Sequence, residues 1–391
     1  MPKKILILSH KPPYPKLDGG AIAISQLLET LLIENIVTFL SIETDKHPSK
    51  SVIEHPMLSY KSVHVNTRTT MYDGIKNLFT NKSYILSRFD SVDYKIELKS
   101  ILNKTNFDII VFESLFTSSY LPIVKKLTSA KLIYRSHNIE YQIWERQIKN
   151  SPNNFLFNTY LRLQAKRLKK DEIKFWNSVN LIACISVNDQ KIIKTHSDVK
   201  KDILGIFFKN RNQKIESHSK DIDFFHLGAM DWKPNQDGVQ WIYDKVWPIF
   251  HEIYPLSTFH IAGKDMPKSF LNNKFHNVIN HGEIPDAENF ISSHKVMLVP
   301  LFSGSGVRVK IIEGLSYGKC IITTKIGLQG IPCTDRKNIL IADSIEDFIK
   351  AMEFCIKNPE KVRLIEIEAK KIAQKYFSKN LFLNKVKKIF K

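Results

Sequence analysis

Cysteine is scarce in this sequence, and the few cysteines form no recognisable pattern. Cys184, Cys320, Cys333 and Cys355 make neither a C-x-x-C pair nor a cluster flanked by histidines, and two of them lie within apolar, strand-like runs. This spacing excludes a disulfide-rich scaffold and a cysteine-based zinc module. We expect buried free thiols, which are typical of a reducing compartment.

Long hydrophobic runs are also missing. No stretch approaches the roughly 18 consecutive apolar residues of a membrane-spanning helix, and the first apolar run, residues 5–8, is too short for the core of a signal peptide. We therefore expect a cytoplasmic protein, either soluble or bound peripherally to the inner face of the cytoplasmic membrane.

Acidic residues are too few to balance the basic ones. The chain has 58 Lys and Arg residues against 39 Asp and Glu, a net charge of +19. Such an excess favours anionic partners: nucleic acid, phosphorylated metabolites or an anionic membrane surface. The basic residues are dispersed, and no helix-turn-helix, zinc-finger or RNA-recognition signature is present. A nucleic-acid-binding protein is therefore kept only as an alternative, and we expect no nucleic-acid partner.

Short apolar runs alternate with helix-like segments along the rest of the chain. The alternation predicts βαβ units, buried parallel sheets and an α/β fold, and 391 residues suffice for two domains. A polar, aperiodic stretch at 207–221 predicts a linker between an N-terminal domain, 1–206, and a C-terminal domain, 222–375. The Lys-rich end, 376–391, predicts a terminal helix. The predicted strands are 5–8, 36–40, 108–112, 131–134, 181–185, 224–227, 258–262, 277–280, 295–299, 320–324 and 338–341.

The loop after the first predicted strand ends in Gly19 and Gly20, and a helix-like run follows. Glycines at a helix N-terminus let backbone N–H groups approach an anion or a sugar closely. These two residues are therefore candidates for a phosphate or acceptor loop; the alternative is a plain proline-rich connection. Because the loop lacks the G-x-G-x-x-G fingerprint, a nicotinamide-dependent enzyme is disfavoured.

Two polar residues follow predicted strands of the same domain. Glu113 comes directly after strand 108–112, and His137 follows strand 131–134 closely. Open α/β sheets bind ligands at the carboxyl ends of their strands, so both side chains are candidates for contact with substrate. Each residue could equally serve as a polar cap for the segment that follows, and both interpretations stay open.

A second candidate site lies in the C-terminal domain. Gly228 follows strand 224–227 and permits a close backbone approach, and Lys233 lies in the loop after it. Further along, a glycine-rich loop follows strand 295–299, and its successive N–H groups can cradle phosphate oxygens. Basic side chains that suit phosphate come next, followed by a glutamate that could accept hydrogen bonds from ribose hydroxyls. The residues of this later segment are Gly304, Ser305, Gly306, Arg308, Lys310 and Glu313.

The segments 13–20, 136–138, 228–238 and 304–314 resemble the family 4, group 1 glycosyltransferases, and the likeness extends over nearly the whole chain. The resemblance implies a GT-B fold: two Rossmann-like, doubly wound domains that face each other across a cleft, with a C-terminal helix that crosses back. It also implies that the N-terminal domain binds the acceptor and the C-terminal domain binds a nucleotide-sugar.

By the same resemblance, the reaction is a retaining transfer of a sugar from a nucleotide diphosphate sugar of the UDP or GDP type. It needs neither a metal nor a further cofactor, and the leaving phosphate helps to take the acceptor's proton. The resemblance implies that His137 contacts the donor sugar and that Glu313 binds the ribose. Lys310 would hold the diphosphate, with help from Lys233 or Arg308.

The resemblance also implies that Gly19 and Gly20 lie near the phosphates or the acceptor. The first of the family's two glutamates falls on Ser305 in this chain, so the resemblance assigns no carboxylate contact to the donor sugar. The expected acceptor is a glycan or a lipid-linked glycan, in surface polysaccharide or lipopolysaccharide biosynthesis. A non-hydrolysing sugar-nucleotide epimerase, which has the same architecture but needs no acceptor, is the alternative enzyme.

Segment 161–174 is the candidate for contact with an anionic membrane. Its apolar residues recur at helical spacing and, with Phe157, form a stripe that includes Leu161, Ala165 and Leu168. The alternative is a helix packed on the core with a solvated basic face. The basic residues of the segment are Arg162, Lys166, Arg167, Lys169, Lys170 and Lys174.

Overall fold

A computed structural model describes residues 2–16, 18–49, 53–149, 155–208, 223–270, 277–304 and 306–391. The chain forms two compact units: the first consists of Met1–Ile206 together with Phe382–Lys391, and the second of Phe207–Leu381. The predicted linker, 207–221, lies outside the described residues from position 209 on.

The first unit is built on a seven-stranded sheet. Its strands are β1 (Lys4–Ser9), β2 (Ile36–Glu43), β3 (Leu58–His64), β4 (Ile109–Glu113), β5 (Lys131–Ser136), β6 (Leu181–Cys184) and β7 (Lys200–Ile203). They are paired in the order β3-β2-β1-β4-β5-β6-β7, and each pairing is parallel. Its helices are α1 (Gly19–Leu31), α2 (Met71–Leu78), α3 (Tyr84–Ser87), α4 (Val92–Lys104), α5 (Leu121–Leu127), α6 (Glu140–Lys149), α7 (Phe155–Trp176) and α8 (Val187–Lys194), with a 3₁₀ turn at Leu115–Tyr120.

The central strands of this sheet are buried on both faces. In the register, Ile5 of β1 lies between Val37 of β2 and Ile109 of β4, and all five residues of β4 are buried. Parallel strands covered by helices on both sides read as continuous apolar runs, which is why the sequence pattern predicts these strands.

The sequence pattern does not predict β3 and β7, the two outermost strands. Each pairs with one neighbour, and their side chains are half-buried or exposed. Their sequences, LSYKSVH and KKDI, therefore mix polar and apolar residues, as expected for strands that cover less of the core.

The second unit contains a six-stranded parallel sheet. Its strands are β8 (Asp223–Leu227), β9 (Thr258–Ala262), β10 (Val278–Gly282), β11 (Val296–Val299), β12 (Cys320–Thr323) and β13 (Leu340–Ile341), in the order β10-β9-β8-β11-β12-β13. The helices are α9 (Lys233–Trp241), α10 (Trp247–Ile253), α11 (Ala287–Ser293), α12 (Val309–Ser316), α13 (Ile345–Lys357), α14 (Pro359–Phe377) and α15 (Lys379–Ile389), with a π turn at Ile242–Val246. The predicted α/β architecture of two parallel sheets is thereby confirmed.

The C-terminal helix starts in the second unit and ends in the first. The predicted terminal segment, 376–391, is interrupted, because α14 ends at Phe377 and α15 begins at Lys379. At the end of α15, the Lys3 ammonium donates to the carbonyl of Phe390 at 3.0 Å, and the Lys131 ammonium donates to that of Ile389 at 2.9 Å. Cations at a helix C-terminus complement its dipole, so these lysines fasten the chain end to the first unit.

Helix α7 packs against α6 and α3. Ala165 and Leu168 from the stripe predicted to face a membrane are buried. Arg167 donates to the carbonyls of Asn77 at 2.9 Å and Leu78 at 3.0 Å, at the end of α2. These contacts favour the core-packed interpretation of the segment. Within the part of the chain that the structure describes, no helix is both long enough and apolar enough to span a bilayer.

Candidate functional site

The carboxylate of Asp18 lies at the N-terminus of α1. Asp18 caps the helix: its Oδ1 accepts from the N–H of Ala21 at 2.8 Å, and its carbonyl accepts from that of Ile22 at 3.0 Å. Lys11 donates to the same carboxylate at 2.6 Å. Burial acts to raise the pKa of Asp18, but His47 and Lys11 outweigh it and hold the pKa well below its usual range. The carboxylate therefore stays ionised and holds the Lys11 ammonium beside the helix.

Gly19 and Gly20 form the first turn of α1. A Cβ atom on Gly20 would lie 2.6 Å from Nζ of Lys11, which is too close for unstrained packing. Glycine at this position thus makes room for a nearly buried lysine. The loop consequently presents a cation next to the helix N-terminus, in addition to the backbone N–H groups that the sequence suggests.

Glu113 and Arg135 form a buried ion pair at the ends of β4 and β5. The two residues are aligned in the register, both side chains are fully buried, and Nη1 of Arg135 lies 3.1 Å from Oε1 of Glu113. Arg135 also donates to the carbonyls of Ala23 at 2.8 Å and Gly205 at 3.1 Å. Burial acts to raise the pKa of Glu113, but the charge of Arg135 and the hydrogen bonds from Arg135 and His137 outweigh it and lower the pKa to about 2.

His137 is held by the second oxygen of the same carboxylate, through a short hydrogen bond between Nε2 and Oε2 of Glu113. Burial, followed by the charges of Arg135 and Lys11, lowers the pKa of His137 despite the opposing effect of Glu113. An ionised carboxylate only accepts hydrogen bonds. Nε2 of His137 therefore carries the proton, and Nδ1 of the neutral ring keeps a lone pair.

His10 lies next to this group and follows β1 directly. Its Nδ1 lies 3.2 Å from the carbonyl of Glu113, and its ring centroid is 6.3 Å from that of His137. Burial, with Lys11 and His137, lowers the pKa of His10 to about 3. Because Nδ1 donates to the carbonyl, Nε2 of the neutral ring keeps its lone pair. Two neutral imidazoles and one ammonium thus lie close together at the strand ends.

Sequence reasoning assigned no role to His10, Lys11 or Arg135. The rule that selected Glu113 and His137, a polar residue just past an apolar strand, applies equally to His10. The role of Arg135 has no such signal, because it depends on the register of β4 against β5.

Lys310 is the central charged residue of the second unit. It lies on α12, and its ammonium donates to Oδ1 of Asn235 at 2.9 Å and lies 3.3 Å from Nε2 of His226. Burial, and then the charge of Arg308, lowers the pKa of Lys310 to about 7, although Glu313 acts in the opposite direction. An anion brought to this ammonium would favour its charged form.

Gly228 and His226 shape the surroundings of this lysine. A Cβ atom on Gly228 would overlap Nζ of Lys310, so only glycine leaves the ammonium in place. Nδ1 of His226 donates to the carbonyl of Leu298 at 2.9 Å. Burial and the charge of Lys310 hold the pKa of His226 well below its usual range, so a neutral ring accepts from Lys310.

The glycine-rich loop brings Arg308 against Trp232. Gly304 and Gly306 have φ angles of +103° and +77°, in the region that favours glycine. The Arg308 guanidinium lies 5.6 Å from the Trp232 ring centroid, and its Nη1 donates to the carbonyl of Gly306 at 3.2 Å. Arg308 is the N-cap residue of α12 and is almost fully buried. A second cation is thereby fixed on the same helix as Lys310.

Three further candidate residues of this unit are Glu313, Lys233 and Ser305. Glu313 is half-buried on α12 and close enough to Lys310 to affect its pKa. Lys233 begins α9 and forms an exposed ion pair with Asp237 at 2.7 Å. Its side chain is therefore exposed to solvent, unlike that of Arg308. Ser305 lies outside the described residues.

Residues 221–358 match the family described as "Glycosyl transferases group 1". A curated relative, named "Uncharacterized 44.6 kDa protein in cps region", from Klebsiella pneumoniae, is 23% identical over 97% of this chain and 98% of its own length. The matched region covers much of the second unit and includes His226, Gly228, Arg308 and Lys310.

Solved structures match the whole chain in fold. Sucrose-phosphate synthase from Thermosynechococcus elongatus gives a TM-score of 0.71 at 12% identity, over 99% of this chain and 98% of its own. HepE from Anabaena in complex with UDP gives 0.68 at 12% identity, over 99% of each chain. WaaG, a glycosyltransferase involved in lipopolysaccharide biosynthesis, gives 0.67 at 11% identity, over 98% of this chain and 99% of its own. The fold is that of GT-B glycosyltransferases, with two Rossmann-like domains.

Proposed function

We propose that this protein is a retaining glycosyltransferase of family 4 that transfers a sugar from a nucleotide diphosphate sugar of the UDP or GDP type. The acceptor is a glycan or lipid-linked glycan in surface polysaccharide or lipopolysaccharide biosynthesis. The observation that carries the proposal is the half-buried Lys310 in the region that matches group 1 glycosyltransferases, whose ammonium contacts Asn235 and His226 and whose pKa is lowered to about 7. Such a group is suited to an anionic ligand that arrives and leaves.

The names of the related proteins support the substrate class and the pathway. HepE was solved with UDP and with UDP-glucose. WaaG is described as involved in lipopolysaccharide biosynthesis, and the Klebsiella relative is named after the cps region.

In this proposal the second unit holds the donor. Lys310 and Arg308 bind diphosphate oxygens through charge-assisted hydrogen bonds. Gly228, Gly304 and the neighbouring Gly306 let those oxygens approach the backbone closely. Glu313, one turn along α12 from Lys310, accepts hydrogen bonds from the ribose hydroxyls. As negative charge grows on the leaving phosphate, the two fixed cations stabilise it without moving, which lowers the barrier for the transfer.

The first unit contributes His137 and the acceptor loop at Gly19 and Gly20. Glu113 fixes the His137 ring so that Nδ1 can accept a hydrogen bond from a sugar hydroxyl. Because the ring is neutral, it orients the sugar without placing a second positive charge near the developing oxocarbenium ion. The departing phosphate takes the proton of the acceptor hydroxyl, and no metal or other cofactor takes part in this step.

The test begins with binding of UDP- and GDP-sugars to the full chain by thermal shift. A donor present at 100 times its Kd should stabilise the protein by about 2.7 kcal/mol. Lys310→Ala should greatly reduce the shift, whereas the matched control Lys233→Ala, in the exposed ion pair with Asp237, should keep it. No shift with any nucleotide-sugar, or an equal shift in both variants, would contradict the proposal. Turnover of the donor to an epimer without acceptor would identify a sugar-nucleotide epimerase instead.

We also propose that the enzyme works at the inner face of the cytoplasmic membrane, on an anionic lipid surface. The supporting observation is helix α2, whose apolar face is exposed: the relative exposures are 86% for Met71, 54% for Ile75 and 90% for the adjoining Phe79. Lys76 lies on the same helix. An exposed apolar face is a feature of interfacial helices.

A further inference from the structure

Three histidines of the second unit lie side by side near one edge of its sheet, and none of them is among the residues assigned to the donor. His260 is on β9, His281 is on the neighbouring edge strand β10, and His294 directly follows α11. Ring nitrogens from the three side chains lie within 4.8 Å of one another. We propose that these three side chains form a binding site for a late first-row divalent metal ion, with Zn²⁺ as the expected occupant.

An irregularity in the sheet places His281. The register of β10 against β9 shifts between Asn280 and Gly282, so His281 is an extra residue at a β-bulge. Bulges re-aim side chains at sheet edges. The result is a distance of 2.9 Å between Nε2 of His281 and Nδ1 of His260.

In His294 and His260, one ring nitrogen contacts a neighbouring polar group, and the other ring nitrogen is left to face the proposed ion. Nδ1 of His294 donates to the carbonyl of Phe290 at 2.7 Å, which leaves Nε2 as its ligand atom. Nε2 of His260 lies 3.2 Å from the Thr258 hydroxyl, which leaves Nδ1. Metal-binding histidines characteristically donate their second ring N–H to a carbonyl or a similar acceptor, and His294 has that arrangement.

The Asp223 carboxylate is close enough to His260 to act on it electrostatically, and its negative charge favours a cation.

Side-chain adjustment is needed to hold an ion, because the three ring nitrogens lie at separations of up to 4.8 Å. Zn–N bonds of 2.0–2.1 Å in a tetrahedron separate two ligand nitrogens by roughly 3.3 Å. The 2.9 Å contact between His260 and His281 would therefore open by a few tenths of an ångström. Three imidazoles favour Zn²⁺, Ni²⁺ or Cu²⁺ over Mg²⁺ or Ca²⁺, and the exposed His281 provides the entry path. The bound ion would join β9, β10 and the end of α11.

The test uses the full chain, stripped of metal with a chelator and dialysed. Calorimetric titration with Zn²⁺ is expected to give one ion per chain, and the electron paramagnetic resonance spectrum of bound Cu²⁺ is expected to report nitrogen ligands. His281→Ala removes an exposed ligand and is expected to keep the fold; His260→Gln is a second ligand variant. His64→Ala, an exposed histidine of the first unit, is the matched control.

Loss of a ligand should weaken Zn²⁺ binding by more than the roughly 10- to 100-fold that loss of an outer hydrogen bond costs. Zn²⁺ should raise Tm in the wild type and in His64→Ala, but not in His281→Ala. If circular dichroism shows that His281→Ala is misfolded, His260→Gln decides by the same criteria. Failure to bind Zn²⁺ at millimolar concentration, or unchanged one-to-one binding in the ligand variants, would overturn the proposal. Donor binding is a separate measurement, so this site and the proposed function can fail independently.

Discussion

At the strand ends of the first sheet, the buried Glu113 carboxylate is surrounded by partners that stabilise its charge. In the second unit, the half-buried Lys310 ammonium on α12 contacts neutral groups. Glu113 accepts from Arg135 and His137, and its pKa falls to about 2. Lys310 bonds to the Asn235 amide and lies against the His226 ring, and its pKa also falls, to about 7. For an acid the lowered pKa means a stabilised charge; for a base it means a destabilised one.

The difference indicates separate tasks for the two units. The first site is complete without a ligand, because its charges compensate each other and hold His137 in one orientation. The second site gains from an incoming anion, because an anion would restore the favoured charged state of Lys310.

The largest expected effect is on the free energy of unfolding and comes from removing the negative charge of Glu113. Glu113→Gln leaves the Arg135 guanidinium buried without its counter-charge, which should cost about 3–5 kcal/mol of unfolding free energy. Urea denaturation followed by circular dichroism at pH 7 measures it. Because the folded pKa of Glu113 lies below its ordinary value, its stabilising contribution is present above about pH 4.5. The difference between wild type and variant should therefore shrink as the pH falls from there toward 2.

Glu140 is the matched control for that experiment. It is buried in the same unit, but burial raises its pKa to about 7, opposed by the Asn138 hydrogen bond. For this acid the sign is reversed: ionisation is disfavoured in the folded state, so its contribution becomes less favourable as the pH rises from about 4.5 through 7. Glu140→Gln removes this penalty and should therefore stabilise the protein at pH 7. Equal destabilisation by the two substitutions would show that charge balance at Glu113 is not the cause.

His137→Ala should lower kcat by about 100-fold, as loss of a preorganised hydrogen-bonding group does, while donor affinity changes little. Steady-state kinetics together with donor titration by calorimetry separate the two quantities. The exposed histidine variant His64→Ala should behave as wild type. Equal losses in kcat and in affinity would mean that His137 binds the ground state and the transition state alike, and full activity would remove it from the site.

Lys310→Ala should weaken donor binding by about 1.5–3 kcal/mol, the worth of a hydrogen bond to a charged group. The lowered pKa gives a second signature. At pH 8 much of the free protein carries Lys310 uncharged, so donor binding should take up a proton, and the apparent enthalpy should depend on the buffer. The variant should lose this dependence, and Lys233→Ala should keep it. A wild-type enthalpy that is independent of the buffer at pH 8 would contradict the role of Lys310.

The search for a polar residue just past an apolar run selects Glu113 and His137, and the structure brings these two side chains into contact. The same search says little about partners that packing brings from elsewhere in the chain. Asn235 is 75 positions away from Lys310, and nothing in either local sequence announces their contact. The three histidines of the proposed metal site likewise come from two strands and a helix end, and their spacing matches no common metal motif.

The weakly predicted parts of the fold share one physical cause. A residue packed on both sides must be apolar, so β1 and β4 are visible in the sequence. The edge strands β3 and β7 are only partly covered and tolerate polar residues. The role of a basic residue is also hard to predict from the sequence. Arg167 lies in a basic, amphipathic segment that resembles a lipid contact, yet its guanidinium donates to carbonyls at the end of α2.

The smallest expected effect concerns the lipid surface proposed for the first unit. Phe79→Ser should weaken binding to vesicles that contain anionic lipid by about 1–2 kcal/mol, because the ring is 90% exposed and its apolar area would be only partly immersed. Leu364→Ser, an exposed leucine of the second unit, is the matched control and should bind as wild type. The lysines of α7, Lys166, Lys169 and Lys170, provide the contrasting variant when changed to glutamine, with Arg167 left in place because of its contacts to α2. Co-sedimentation at low salt ranks the three variants, and a larger loss from the lysine variant than from Phe79→Ser would make α7 the membrane contact and contradict the assignment to α2.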